Sequence, residues 1–188
     1  KSINQQSKKR DLPRASRKPA SSRSHSVPAA VAVQNRTIRP IIRPSQGGFS
    51  ITHREMIGYI SRNPGSLNFK TNSFVCQPGS VTTFPWLSPI ATRFETYNFR
   101  KLCFHYTSRL PSIAPGSVGC SFDHDSLDPL PISLVEAMAQ HDRVCNSAYQ
   151  SWAFHVDLSR SKAPFYYTRT DTYSSGGDLK TYDTGRVT

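Results

Sequence analysis

From Phe49 onward the chain alternates. In "WAFHVDLS", Trp152, Phe154, Val156 and Leu158 fall on one side of an extended backbone, with Ala153, His155, Asp157 and Ser159 on the other. "KLCFHYT" sets Leu102, Phe104 and Tyr106 against Lys101, Cys103 and His105, and "SVGCSFD" sets Val118, Cys120 and Phe122 against Gly119, Ser121 and Asp123. A period of two with one apolar side predicts half-buried strands. "ITHREMIGYI", "NFKTNSFVC" and "PFYYTRT" are further strand candidates. Two short helices interrupt them. "SPIATRFETY" offers Ser88 as an N-cap with Pro89 at the first helical position, and Ile90, Ala91, Phe94 and Tyr97 on a shared face. "SLVEAMAQHD" places Ser133 and Glu136 at capping-box spacing. Short strands, turns rich in Gly and Pro, and no βαβ alternation predict an all-β sandwich.

The first quarter of the chain lacks this pattern. Residues 1–43 hold eleven Lys or Arg and one acid, Asp11, a net of +10 out of the chain's total of +12, and the first aromatic residue is Phe49. A segment rich in Ser, Pro, Gln and Arg buries too little apolar surface to offset the entropy of ordering it, so residues 1–26 read as a disordered arm. Lys8, Lys9, Arg10, Arg14, Arg17, Lys18 and Arg23 are its candidate RNA-binding residues. Such a block binds polyanions by releasing counterions, and about ten cations on single-stranded phosphates would give a salt slope of roughly −7. A solubilising tail or a nuclear-import signal within "KKRDLPRASRK" is the competing use. Residues 27–48 read as a connecting arm: Pro40 and Pro44 favour extended backbone, and Gly47-Gly48 supply a hinge. The patterned part, 49–188, is then one domain with room for a core.

No apolar run is long enough to span a bilayer, and the polar, basic N-terminus has no secretory h-region, so no membrane partner is expected. Because the chain does not begin with Met, it reads as a fragment or a processed product. Cys76, Cys103, Cys120 and Cys145 show no CxxC or zinc-knuckle spacing, so they read as buried, reduced thiols. GxSxG, P-loop, HExxH and GxGxxG motifs are all absent, and the six histidines are scattered. No enzymatic signature is present.

The densest chemistry lies in "CSFDHDSLDPLP", where Asp123, Asp125 and Asp128 fall within six residues at a strand end. Carboxylates this close repel each other. Calcium would relieve that repulsion with hard oxygen ligands, although the EF-hand spacing is not met. A pair of catalytic acids is a second reading, and a solvated acidic turn is a third. The residues alone leave all three open.

"NPGSLNFKTNSFVCQPGSVTTFPWLSPIATRFETYNFRKLCFHYTSRLPSIAPGSVGCSFDHDSLDPLP", residues 63–131, resembles the shell domain of coat proteins from small icosahedral positive-strand RNA plant viruses: tombusviruses, carmoviruses and necroviruses, with sobemoviruses further off. The resemblance is carried by "FPWLSPIATRFETYNFRKLCFHY", by Gly116 before a strand and by the D-x-D-x-x-D run, and it extends over at least 49–188. It implies an eight-stranded jelly roll, a T=3 shell of identical subunits, and viral single-stranded RNA packaged by the basic arm. The protein would reside in the virion, and in the host cytoplasm during assembly. The resemblance also implies a calcium ion between neighbouring subunits, held by Asp123, Asp125 and Asp128, so that chelation or raised pH loosens the shell. Gln140, Asp142 and Asp157, the last on the outward face of its strand, are candidates for the partner's ligands. The family often has an aromatic residue where His124 stands here. The chain stops at what reads as the start of the penultimate strand, so a C-terminal truncation is expected. A cellular RNA-binding β-sandwich with a basic tail is the alternative function, and a calcium-dependent lectin-like or hydrolytic jelly roll a third.

Overall fold

The computed structural model describes residues 39–45, 47–61, 68–171 and 177–188. The arm 1–26, with its seven candidate RNA-binding residues, and most of the connecting arm lie outside the described residues. Ten short strands occur among the described residues: β1 Ile41–Ser45, β2 Gly48–Thr52, β3 Phe74–Val75, β4 Thr96–Tyr97, β5 Cys103–Tyr106, β6 Ser117–Asp123, β7 Asp142–Ser147, β8 Trp152–His155, β9 Tyr166–Tyr167 and β10 Arg186–Val187. Helix α1 spans Ser88–Ala91 and α2 spans Leu134–Ala139.

One four-stranded sheet runs β3-β10-β6-β7, and three two-stranded ladders pair β1-β2, β4-β9 and β5-β8. The sheet and the β5–β8 ladder face each other across one core. Cys76, Cys120, Phe122 and Val187 come from the sheet side, and Leu102, Phe104, Phe154 and Val156 from the ladder and its flanks. All of these except Cys76 and Val187 are apolar positions of the alternating stretches, so period-two patterning produced most of both layers directly. Strand β6 is covered on both faces. Cys120 and Phe122 face the core, while α2 lies over the opposite face, where a side chain on Gly119 would come within 3.1 Å of Met138 Cε. Its near-continuous burial therefore reflects two neighbours, not one.

Strand β10 is inserted between β3 and β6, with Arg186 opposite both Val75 and Asp123. Gly185, at φ 155°, makes that insertion possible: a Cβ there would sit 2.3 Å from the Asp123 carbonyl oxygen and 2.7 Å from the Phe122 ring. The residues read as a strand opening at the chain's end thus occupy the interior of a sheet.

Several sequence expectations change. Strand candidates 51–60, 68–76 and 164–170 shrink to β2's last two residues, β3 and β9. Ser88 does not cap α1. Leu87 holds that position without a side-chain bond, while the Ser88 hydroxyl donates to the Gly79 carbonyl at 2.7 Å. The helix also stops before Phe94, because Thr96–Tyr97 pair with Tyr166–Tyr167 and the Tyr97 hydroxyl donates to the Tyr182 carbonyl at 2.6 Å. Two cysteines, Cys76 and Cys120, are buried as expected, and burial pushes the Cys120 thiol up to about 12. Cys145 is exposed and Cys103 half-buried, since both sit on strand faces turned from the core; all four thiols are unpaired. The Ser133 cap of α2 is present, accepting from the Glu136 N–H at 3.2 Å. Residues 41–45, from the connecting arm, pair with 48–52, so the boundary at 48/49 falls within a hairpin turning at Gly47, φ 79°.

Candidate cation-binding loop and groove

Strand β6 delivers Asp123 to the edge of the domain, and the following loop is wound by its own aspartates. Asp123 Oδ1 accepts from the Asp125 N–H at 2.8 Å, and Asp125 Oδ1 accepts from the Leu127 N–H at 3.1 Å. The Asp128 N–H then donates to the Asp125 carbonyl at 3.3 Å. These are the turns that Asp favours, because its short side chain mimics a backbone acceptor.

Repulsion among the carboxylates is relieved from distant parts of the chain. Asp125 Oδ2 lies 2.8 Å from Lys162 Nζ and 2.7 Å from Lys180 Nζ. Hydrogen bonds from Lys162 and then Lys180 hold the Asp125 carboxyl far below the usual carboxylate range. Arg186 anchors the loop backbone, donating to the Ser126 carbonyl at 3.2 Å and to the Asp128 carbonyl. Sequence reading missed Lys162, Lys180 and Arg186. Nothing local marks them, since only the fold brings the segments after β8 and around β10 to this loop.

Asp123, Asp128 and Gln140 line one open groove of about 690 Å³, together with His124, Arg160 and Lys162. Gln140, just past the end of α2, has its side-chain oxygen Oε1 buried without a hydrogen-bond partner. Among the described residues no three His, Cys, Asp or Glu side chains of one chain are gathered into a ready-made metal site. Beside the imidazoles of His124 and His141, the groove gathers the hard oxygens of Asp123, Asp128 and Gln140, the class calcium takes, and the unpartnered Gln140 oxygen is the type of atom a cation would satisfy. The oxygen set therefore fits calcium, with ligands still to be supplied from outside the chain.

Asp142 and Asp157 form a separate pair. Asp142 opens β7, lying 3.4 Å from His124 Nε2 and 3.0 Å from His141 Nδ1, and it accepts from the Asp157 N–H at 3.3 Å. Burial raises its carboxyl, but the bonds from His141, Asp157 and His124 outweigh this and leave it below its ordinary value. Asp157 lies beyond the end of β8 and not on it, where it caps a 3-10 turn over Leu158–Arg160 and accepts from the Ser159 hydroxyl at 2.7 Å and N–H at 3.1 Å. Both carboxylates are already engaged by neighbours.

A family model described as viral coat protein (S domain) matches residues 23–187. The capsid protein of oat chlorotic stunt virus is 31% identical over 156 residues, which is 81% of this chain and 33% of that protein. The capsid protein of cucumber necrosis virus is 35% identical over 107 residues, 54% of this chain and 28% of that protein. The chain spans about a third of the length of these relatives. Among solved structures, cucumber necrosis virus superposes with a TM-score of 0.75 at 24% identity, covering 94% of this chain and 55% of that one. Tobacco necrosis virus gives 0.73 at 17% identity, covering 85% and 80%. These likenesses identify the sandwich as the jelly-roll shell fold.

Proposed function

The chain belongs to the viral coat protein (S domain) family, a family of structural capsid proteins and not of enzymes, and on that premise we propose that it is a shell-building unit. Identical copies assemble into a T=3 icosahedral particle around viral single-stranded RNA, and the protein resides in the virion after assembly in the host cytoplasm. The basic residues Lys8, Lys9, Arg10, Arg14, Arg17, Lys18 and Arg23 neutralise RNA phosphates without reading sequence. At the rim of the sandwich, the loop carrying Asp123, Asp125 and Asp128 holds calcium against a neighbouring subunit. Gln140 is the best-supported additional ligand, and Asp142 and Asp157 are the remaining candidates. The observation that carries this reading is the meeting of Asp123, Asp128 and the unpartnered Gln140 oxygen in one groove.

Calcium, when bound, supplies a divalent charge that bridges carboxylates across an interface. The chain's own residues do the rest. The Asx turns fix the loop, and Arg186 ties it to β10. Lys162 and Lys180 neutralise Asp125 in the single subunit, so the loop is held in place before a neighbour arrives.

The test is electron microscopy of the expressed protein with single-stranded RNA, with calcium and with a chelator at mildly alkaline pH. Uniform spheres that swell or dissociate on chelation are the expected result. Spheres indifferent to chelation would remove the calcium role, and a monomer that still binds RNA would remove the shell-building role.

A further inference from the structure

Cys103 opens β5 directly opposite His155 on β8, and His105 follows two residues along on the same face. The alternate residues, Phe104 and Phe154, point into the core and pack against each other. The thiol and both imidazoles therefore project outward from a ladder whose other side is fixed. Cys103 Sγ lies 3.4 Å from His105 Nε2 and 3.8 Å from His155 Nε2. In tetrahedral coordination, with metal–sulfur and metal–nitrogen bonds of about 2.3 and 2.05 Å, a sulfur and a nitrogen stand about 3.6 Å apart. The two observed separations bracket that value.

We propose that Cys103, His105 and His155 form a binding site for one soft divalent transition metal of the zinc class, its fourth position left to water or to a ligand from outside the chain. The trio does not yet enclose a point, in keeping with the absence of a ready-made site among the described residues. A metal would have to draw the two exposed histidine side chains together over Cys103, which the ladder register places opposite His155.

Chemistry separates this site from the aspartate loop. Thiolate and imidazole suit zinc-class ions, whereas carboxylates and amide oxygens suit calcium. The charged and titratable groups facing the trio are Arg54 and Lys101, together with the trio itself. Burial, then Arg54, His155 and Lys101, lower the His105 imidazole below its ordinary value. Burial raises the Cys103 thiol, with Lys101 and Arg54 pulling against it. Binding therefore releases one proton: the S–H bond breaks, the proton passes to solvent, and one metal–sulfur and two metal–nitrogen bonds replace three metal–water bonds. Affinity must rise with pH.

The experiment uses the full chain carrying Cys145→Ser, which leaves Cys103 as the accessible thiol because Cys76 and Cys120 are buried. Zinc is added and the rate of thiol alkylation followed; cobalt is added separately and its absorption recorded. The expected result is zinc protection of one thiol and a sulfur-to-cobalt charge-transfer band. Both are lost in Cys103→Ser, and affinity is at least about tenfold weaker in His155→Gln. A simple thiol–imidazole hydrogen bond predicts no zinc effect. An unchanged alkylation rate, or a cobalt band that survives Cys103→Ser, would overturn the proposal.

Discussion

At the end of β6, carboxylates are held by lysines and an arginine from distant parts of the chain. On the outer face of the β5–β8 ladder, a thiol and two imidazoles are held by strand register alone. The loop is a tertiary assembly whose geometry depends on β10 and on the segment after β8. The ladder face is a secondary-structure feature, anchored by the aromatic residues between its donors. A polar cluster can thus be built from long-range partners around a turn, or from the period of two on a ladder. The two should fail in different ways.

The largest expected effect tests that anchoring. Phe104→Ala removes a buried ring beside Cys103 and should cost about 3–5 kcal/mol, read as a lowered denaturation midpoint. It should loosen the ladder face, whereas a change on the loop should not. Next, Gly185→Ala drives a Cβ into the Asp123 carbonyl and the Phe122 ring. It should cost about 1–3 kcal/mol by thermal unfolding and shift the amide resonances of the aspartate loop before those of β5 and β8. Asp125→Asn removes two ion pairs whose lysines are nearly half exposed, so its stability cost should stay near 1 kcal/mol or below. Its effect on chelator sensitivity should be far greater than its effect on unfolding.

Titration separates the two regions further. Asp125 and Asp142 are depressed in the folded state, so their stabilisation is present above the ordinary value of 3.8 and lost as pH falls through the folded values. His105 is also depressed, so the folded state disfavours its protonation and stability falls as pH drops below 6.5. Unfolding curves across pH should show a shallow decline below 6.5 that His105→Gln abolishes, and a separate acid decline that Asp125→Asn reduces. The smallest effect is Cys103→Ser, one residue from Phe104 on the same strand. It should change stability by no more than about 0.5 kcal/mol while abolishing zinc protection.

Much of this was readable along the chain. The alternation in 101–107, 117–123 and 152–159 gave β5, β6 and β8 and both halves of the core, because a half-buried strand writes its environment into every second residue. Ser133 and Glu136 gave the start of α2, a local hydrogen bond at fixed spacing. The aspartate cluster and Gln140 were visible as candidates. Strand lengths were not, since β3, β4, β9 and β10 are two-residue pairings set by their partners and not by their own patterns. The cysteine trio shows the division sharply. Cys103 and His105 were legible as sharing a face, but nothing in the chain tells which strand lies alongside; the β5–β8 register brought His155 to them.

Local pattern and composition by themselves determined the all-β class, the charge divide near residue 43 and the chemistry of the aspartate loop, because these depend on neighbours within a few residues. The fold alone decided that Lys162 and Lys180 neutralise Asp125, that β10 enters the middle of a sheet, and that two cysteines remain outside the core. Each of these is a contact between segments far apart in the chain, and such contacts are fixed by the packing of two layers against one core.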